Sequence, residues 1–337
     1  MTQNLLIDPL LRALADPTRL RIMRLLAAME LAVGELAQVL GQSQPRVSRH
    51  VKILCDAGIA ERRKEGSWVF LKIAPFAADG PSSRLSLRAA SARLLAAAED
   101  EDAEFATQCA EDRRQLAAIR AGREAASAQY FARHAEEWDQ IRSLLSPDEP
   151  VEEALGRLLP ASLGQLLDIG TGTGRMAQCF APRAAHVTAL DKSPDMLRIA
   201  RTRLQDLPAG KIDLVQGDFA ALPFADAAFD TLLMHQVLHY AQAPELVLAQ
   251  AARVARPGAR LAIVDLAAHA HEELRTTHAH ARLGFSDEQM AQWFAAAGFS
   301  ADAPIALNGG QLTVKIWTGR RLPENAGTAP ITAKVSA

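Results

Sequence analysis

Asp168-Ile169-Gly170-Thr171-Gly172-Thr173-Gly174 sets a carboxylate beside three glycines, directly after the apolar run Leu166-Leu167. Asp191 then closes the next apolar run, Val187-Thr188-Ala189-Leu190. A strand, a tight glycine turn, a helix and an acidic residue ending a second strand make a nucleoside-type pocket. The turn lets backbone approach the ligand closely, and the second carboxylate can hold ribose hydroxyls. A dinucleotide site would show G-x-G-x-x-G, with amides aimed at a pyrophosphate. Here the glycines fall at 170, 172 and 174, Arg175 follows, and the charge of Asp168 would oppose a phosphate. The same charge favours a ligand with an ammonium or a sulfonium. S-adenosylmethionine has both and no phosphate, so the departures point to it.

A second chemical pattern lies upstream. Ser43-Gln44-Pro45-Arg46-Val47-Ser48-Arg49-His50-Val51-Lys52 reads as a helix suited to a DNA groove. Between 43 and 72 the basic residues Arg46, Arg49, Lys52, Arg62, Arg63, Lys64 and Lys72 outnumber the acids Asp56, Glu61 and Glu65. Net charge over the whole chain is only −2, so this local surplus marks the part suited to a polyanion.

The 337 residues suffice for two domains and a connector, and 49% hydrophobic content makes a buried core easy to build. Cys55, Cys109 and Cys179 are too scattered for a disulfide framework, which fits a reducing compartment. No apolar run reaches the ~20 residues of a membrane span, and the N-terminal residues carry no signal-peptide pattern. A cytoplasmic protein without a membrane partner is expected.

The elements that must position these residues follow from periodicity. Apolar residues at helical spacing run from 5 to 31, interrupted at Asp16-Pro17-Thr18, where Asp16 caps and Pro17 begins a new helix. A helix over Val33–Leu40 stops at Gly41, and another runs from about Pro45 to Ala57. Ile59–Arg63 and Trp68–Ile73 flank the polar turn Lys64-Glu65-Gly66-Ser67 as a hairpin. Ser83 to Asp112 is helical, with Leu85, Leu87, Leu94 and Leu95 as an apolar set expected to pair two chains. Strands are expected at Leu166–Ile169, Val187–Leu190, Asp213–Gln216, Phe229–Met234, Leu261–Asp265 and Leu312–Thr318, with helices between. The chain is thus multidomain. An N-terminal winged helix-turn-helix DNA-binding and dimerisation domain spans 1–98, and a helical linker spans 99–128. An α/β Rossmann-like domain spans 129–320, and a disordered tail 321–337.

The second region resembles the class I S-adenosylmethionine-dependent methyltransferases. The resemblance rests on Leu167–Gly174, on Leu190-Asp191 with Ser193-Pro194-Asp195-Met196-Leu197, and on Gly217-Asp218-Phe219. Leu222-Pro223-Phe224, Phe229-Asp230 and Arg256-Pro257-Gly258-Ala259 follow in the family's order. It implies that Asp168 with Gly170, Thr171, Gly172 and Gly174 holds the amino-acid end of the ligand. Asp191 with Lys192 would hold the ribose and Met196 would pack on adenine. Asp218 would accept the adenine amino group beside Phe219. Tyr130 and Trp138 would lid the pocket, with His235 lining it. The histidines of His235-Gln236-Val237-Leu238-His239-Tyr240 are read as pocket lining, because no acidic partner is visible in the sequence; the catalytic group is left unassigned. His269, His271, Glu272, Glu273, His278 and His280 are likewise not read as a metal site, since residues two apart do not share a helical face.

The first 75 residues resemble the ArsR/SmtB family of dimeric winged-helix repressors, through Leu14-Ala15-Asp16-Pro17-Thr18-Arg19-Leu20-Arg21-Ile22, Gln44-x-x-Val47-Ser48-x-His50 and Leu54-x-x-Ala57-Gly58-Ile59. It implies that Gln44, Arg46, Ser48, Arg49 and His50 meet bases or phosphates of double-stranded operator DNA, and that Arg62, Arg63 and Lys64 grip the backbone. Metal-sensing members carry Glu-Leu-Cys-x-Cys where this chain has Glu30-Leu31-Ala32-Val33-Gly34. No metal is therefore expected there. The whole chain resembles fused regulators, some of which answer S-adenosylhomocysteine at methionine-cycle genes. A homodimeric repressor sensing S-adenosylmethionine or S-adenosylhomocysteine is expected. The alternative is an active small-molecule methyltransferase that controls its own gene. A DNA methyltransferase is disfavoured, since Met234-His235-Gln236-Val237 replaces the Asn/Asp-Pro-Pro-Tyr/Phe signature.

Overall fold

The computed structural model describes residues 7–74, 87–145, 148–308 and 312–323. The chain forms two compact units. One comprises Met1–Ser127 with the separate segment Ala270–Thr276; the other comprises Ala128–His269 and Thr277–Ala337. Leu85 and the tail beyond 323 lie outside the described residues.

In the first unit, α1 (Ile7–Leu14) and α2 (Pro17–Leu26) meet at Asp16. Asp16 is extended at φ −158° and accepts a hydrogen bond from the Arg19 amide at 3.1 Å, while Pro17 fills the first helical position. Both devices satisfy or remove a donor that the helix start would leave bare. Then come β1 (Leu31–Ala32), α3 (Val33–Val39), α4 (Gln44–Asp56), β2 (Ala60–Glu65) and β3 (Trp68–Ile73). The sheet order is β1-β3-β2, all antiparallel. Strand β1 was not expected: two residues carry no alternation, and only pairing of Leu31 with Leu71 reveals them. Ile22, Leu36, Val47, Leu54, Ile59 and Leu71 fill the core between helices and sheet.

Helices α5 (Leu87–Glu101) and α6 (Ala103–His134) follow. Within this chain Leu95 and Leu116 join the winged-helix core. Arg21 forms two hydrogen bonds to the buried carboxylate of Asp112, at 2.5 and 2.7 Å, and Glu99 pairs with Arg24 and Arg113. The apolar set expected to pair two chains is therefore divided. Leu95 is 5% exposed in its own chain's core, whereas Leu94 is 58% exposed.

The second unit continues through α7 (Trp138–Leu145), α8 (Asp148–Leu158), β4 (Gly164–Ile169), α9 (Arg175–Phe180) and β5 (Ala184–Asp191). Beyond these lie α10 (Pro194–Arg203), β6 (Ile212–Gln216), β7 (Phe229–His235), α11 (Pro244–Val254) and β8 (Ala255–Leu266). Helix α12 (Glu273–Thr277) begins in the separate segment, and α13 (Asp287–Ala296), β9 (Phe299–Ala301), β10 (Ile305–Leu307) and β11 (Val314–Arg321) complete the chain. The sheet runs β10-β11-β8-β7-β4-β5-β6, with β9 also on β11. Strands β4 to β8 pair in parallel, and β11 returns antiparallel against β8. Leu166, Leu167, Leu232, Leu233, Leu261 and Ile263 are wholly buried, as central strands covered on both faces require. Because β4 has β5 on one side and β7 on the other, the strand order reverses there. Open α/β sheets bind ligands at the carboxyl ends of strands at such a point.

Candidate functional site

At that point Asp168, the last residue but one of β4, is 1% exposed. Its Oδ2 accepts the Thr171 hydroxyl at 2.6 Å, while Oδ1 is buried with no hydrogen-bond partner. Burial, opposed by the Thr171 hydroxyl and the nearby Ala177 amide and reinforced by the charge of Asp191, pushes the Asp168 carboxyl up to about 6. The turn that follows is pinned from both sides. The amides of Gly170 and Thr171 donate to the Leu190 carbonyl at 2.8 and 2.9 Å, and the Gly172 amide donates to Asp191 Oδ2 at 2.8 Å. Gly170 has φ +71°, and a Cβ there would lie 2.3 Å from Val237 Cγ2, so only glycine fits. Asp191 Oδ1 takes the Ser193 amide at 2.8 Å, and burial likewise raises its carboxyl.

The other expected pocket residues divide. Met196 is buried in one cluster with Trp138 and Ala135, against which Tyr130, Phe131 and Tyr240 pack. A Cβ on Gly172 would lie 3.6 Å from Trp138 Nε1, so the indole overlies the glycine turn. Tyr130 donates to or accepts from His278 Nδ1 at 2.9 Å. His235, at the end of β7, is buried with Nε2 lacking a partner, and burial with Arg142 and Arg175 nearby holds its imidazole neutral. Asp218 Oδ2 accepts Lys192 Nζ and Oδ1 accepts the Ala220 amide, each at 2.8 Å, so the loop after β6 is tied to the one after β5. Phe219 packs against the main apolar core.

Several neighbours went unnoticed in the sequence. Asp139 accepts from the Thr173 hydroxyl at 2.8 Å and pairs with Arg203, tying α7 to the turn. His239 Nδ1 lies 2.7 Å from Asp265 Oδ1, on the end of β8. The acidic partner missing from the run 235–240 is thus 26 residues away; its position at a strand's carboxyl end was the available signal. In the stretch 272–282 only Glu273–Thr277 is helical, as α12, and His280 and Arg282 are buried. Among the described residues no three His, Cys, Asp or Glu side chains converge as a metal-binding set.

In the first unit, Gln44, Arg46, Ser48 and Arg49 stand exposed on the first turns of α4, and Arg62 and Lys64 on β2. Two expected DNA contacts turn inward instead. Arg63 is 26% exposed, lies over Phe70 and pairs with Glu30 and Glu65, which together neutralise it. His50 is 13% exposed, with Nδ1 3.7 Å from Asp16. The segment 270–276 adds contacts unreadable from local sequence. Arg275 pairs with buried Glu65 at 2.9 Å and lies 4.4 Å from the Trp68 ring centre; Arg123 of α6 sits 5.3 Å from the same ring. Glu272 accepts the Ser67 amide at the tip of the hairpin.

S-adenosylmethionine suits the residues of the second unit. A buried carboxylate oxygen without a partner can take an ammonium, and a turn whose three glycines all hold positive φ presents backbone in place of side chains. Comparisons with known proteins agree. The methyltransferase domain family matches residues 167–263, and the bacterial regulatory protein, arsR family, matches residues 16–62. A demethylmenaquinone methyltransferase of Renibacterium salmoninarum is 30% identical over 172 residues, covering 43% of this chain and 70% of that protein. A ubiquinone/menaquinone biosynthesis C-methyltransferase of Roseobacter denitrificans is 37% identical over 117 residues, 47% of its length. Among solved structures, the complex of the Haloferax volcanii Trm112 methyltransferase activator with its methyltransferase aligns at TM-score 0.51 and 18% identity. That match covers 58% of this chain and 98% of the solved one, and so shows the shared fold. Among the described residues no helix is long and apolar enough to cross a membrane. The chain belongs to the methyltransferase-domain family and carries an arsR-family winged helix-turn-helix ahead of a class I S-adenosylmethionine-dependent methyltransferase fold.

Proposed function

We propose that the chain is a homodimeric transcriptional repressor whose methyltransferase-like domain binds S-adenosylmethionine or S-adenosylhomocysteine as the effector, with methionine-cycle genes as targets. The observation carrying this reading is Asp168 Oδ1, a buried acceptor left unpaired beside a pinned glycine turn, in a chain that also presents Gln44, Arg46, Ser48 and Arg49 to solvent. A ligand ammonium would supply the missing partner and relieve the cost of burying that charge. Ribose hydroxyls would meet Asp191, and adenine would lie by Met196. To signal, the ligand must bind the DNA-competent and DNA-free states unequally. A coupling of about 1–3 kcal/mol would change operator affinity roughly 5–150-fold. Fluorescence anisotropy on a DNA fragment from upstream of the gene, with and without each ligand, tests this. Unchanged affinity at saturating concentrations of both ligands defeats the sensing role.

The enzymatic reading is favoured by one specific observation, the contact of His239 with Asp265. Two relatives are named as a demethylmenaquinone methyltransferase and a ubiquinone/menaquinone biosynthesis C-methyltransferase, and on this reading the chain acts on a small acceptor and controls its own gene.

A further inference from the structure

We propose that His239 and Asp265 form a proton-accepting pair that takes an aromatic hydroxyl as its substrate, so that the effector domain also activates an acceptor. The proposal rests on the adenosyl-site reading above only for the later methyl step. His239 is 2% exposed and Asp265 0%. Asp265 Oδ1 lies 2.7 Å from His239 Nδ1 and accepts the Leu266 amide at 2.7 Å, while Oδ2 accepts the His239 amide at 3.2 Å. A carboxylate surrounded by donors in this way fixes the tautomer: Nδ1 carries the hydrogen and Nε2 carries the lone pair. That Nε2 is buried and has no hydrogen-bond partner. A buried acceptor held in one orientation by a second residue has the form of a general base.

The surroundings set the acceptor class. His239 meets Tyr240 at 4.1 Å and His280 at 4.3 Å between ring centres, tilted by 46° and 43°. Tyr240 meets Phe131 at 4.8 Å, and Phe131 meets Trp138 at 5.3 Å. The last two contacts are edge-to-face, at 76° and 67°, and an aromatic surrounding of this kind favours a further ring meeting it edge-on or offset. On the same turn, Gln236 is held at φ +51° with its buried Nε2 lacking a partner, a donor available to an oxygen that gains charge. Among hydroxyl acceptors an aromatic hydroxyl, with a pKa of about 10, lies nearest to an imidazole, at about 6.5; an aliphatic alcohol is far weaker, and a carboxylic acid is already ionised at neutral pH.

In the step, the O–H bond of the acceptor breaks, its electron pair stays on oxygen, and Nε2 gains the proton, the imidazolium being stabilised by Asp265. When S-adenosylmethionine is bound it supplies the methyl group: the phenolate pair forms the O–CH3 bond as the S–CH3 bond breaks, leaving that bond's electrons on sulfur.

The test uses full-length protein and 4-nitrophenol, whose ionised form absorbs in the visible. Bound nitrophenol is expected to show the phenolate band at a pH where free nitrophenol does not. Histidine-¹⁵N NMR of the wild type should show one ring nitrogen passing from lone-pair to N–H type on addition. With S-adenosylmethionine, 4-nitroanisole should form; His239→Gln should cut its rate by at least about 10²-fold while S-adenosylhomocysteine affinity by calorimetry stays the same. Asp265→Asn, altering a positioning residue, should lower kcat with little change in KM. Nitrophenol that titrates as in water, or a phenolate band unaltered in His239→Gln, overturns the proposal. The wild-type spectrum and NMR decide even if neither variant folds. Failure of S-adenosylhomocysteine to bind would instead defeat the adenosyl-site reading, which the nitrophenol spectrum does not depend on.

Discussion

Lowering the pH across the range in which Asp168 titrates should weaken the binding of any adenosyl ligand that carries an ammonium. Burial raises this carboxyl from 3.8 to about 6. Because the folded value is the higher one, its contribution to stability is fully present below 3.8 and is lost as pH rises through about 6. The loss is about 3 kcal/mol, at 1.36 kcal/mol for each unit of pKa difference. A ligand ammonium reverses this by pairing with the ionised form. If only that form binds, apparent Kd is multiplied by 1 + 10^(pKa − pH): about 11-fold at pH 5, about 2-fold at pH 6 and essentially unity at pH 8. Calorimetry of S-adenosylhomocysteine from pH 5 to 8, in buffers of different ionisation enthalpy, should show this trend and the release of nearly one proton per ligand at pH 5. Asp168→Asn should bind weakly with that dependence removed. Methylthioadenosine, which keeps the ribose and lacks the amino acid, separates any contribution of Asp191, whose carboxyl burial also raises. A flat affinity profile over this range in protein that remains folded refutes the assignment of Asp168 to the ammonium.

Three further outcomes are expected. Gly170→Ala should abolish ligand binding and destabilise the second unit by about 1–3 kcal/mol, since the added carbon meets Val237 in a left-handed backbone; thermal melts read the loss, and Val237→Ala in the same chain should recover part of it. Asp16→Ala should lower the stability of the first unit by about 1 kcal/mol in urea titrations, and Asp16→Asn should restore most of it, because the cap to the Arg19 amide is the interaction at stake. Arg46→Ala should weaken operator binding by about 1–3 kcal/mol and relax sequence preference, whereas Lys64→Ala should weaken all sequences alike and reduce the salt slope by about one; equal effects on specific and random DNA for both would remove the proposed reading helix.

The sequence exposed those features that local chemistry determines. The carboxylate, turn and carboxylate at 168–191 appear where expected because glycine freedom and strand-end placement are local requirements. The break at Asp16-Pro17 was legible for the same reason. What stayed hidden depends on pairing across distance. Arg63 looks like one more wing cation until β2 and β3 carry it to Glu30 and Glu65. Lys192, in the turn after β5, reaches Asp218 across 26 residues, a pairing that neither local sequence announces. His239 was in view, yet its partner arrives only once β8 lies beside β7. Spacing along a chain does not encode such meetings.

The segment 270–276 limits how this fusion can be cut or recombined. It is encoded within the methyltransferase region yet packs with the winged helix, where Arg275 faces Trp68 and Glu65. A truncated gene stopping at Ser127 would express a hairpin missing one of its two guanidinium partners, with a buried Glu65 left to Arg63 alone. An unrelated methyltransferase grafted in place of the native one would bring the same deficit unless it carried an equivalent loop. Shuffling such modules at the apparent linker would therefore yield a DNA-binding half that is incomplete.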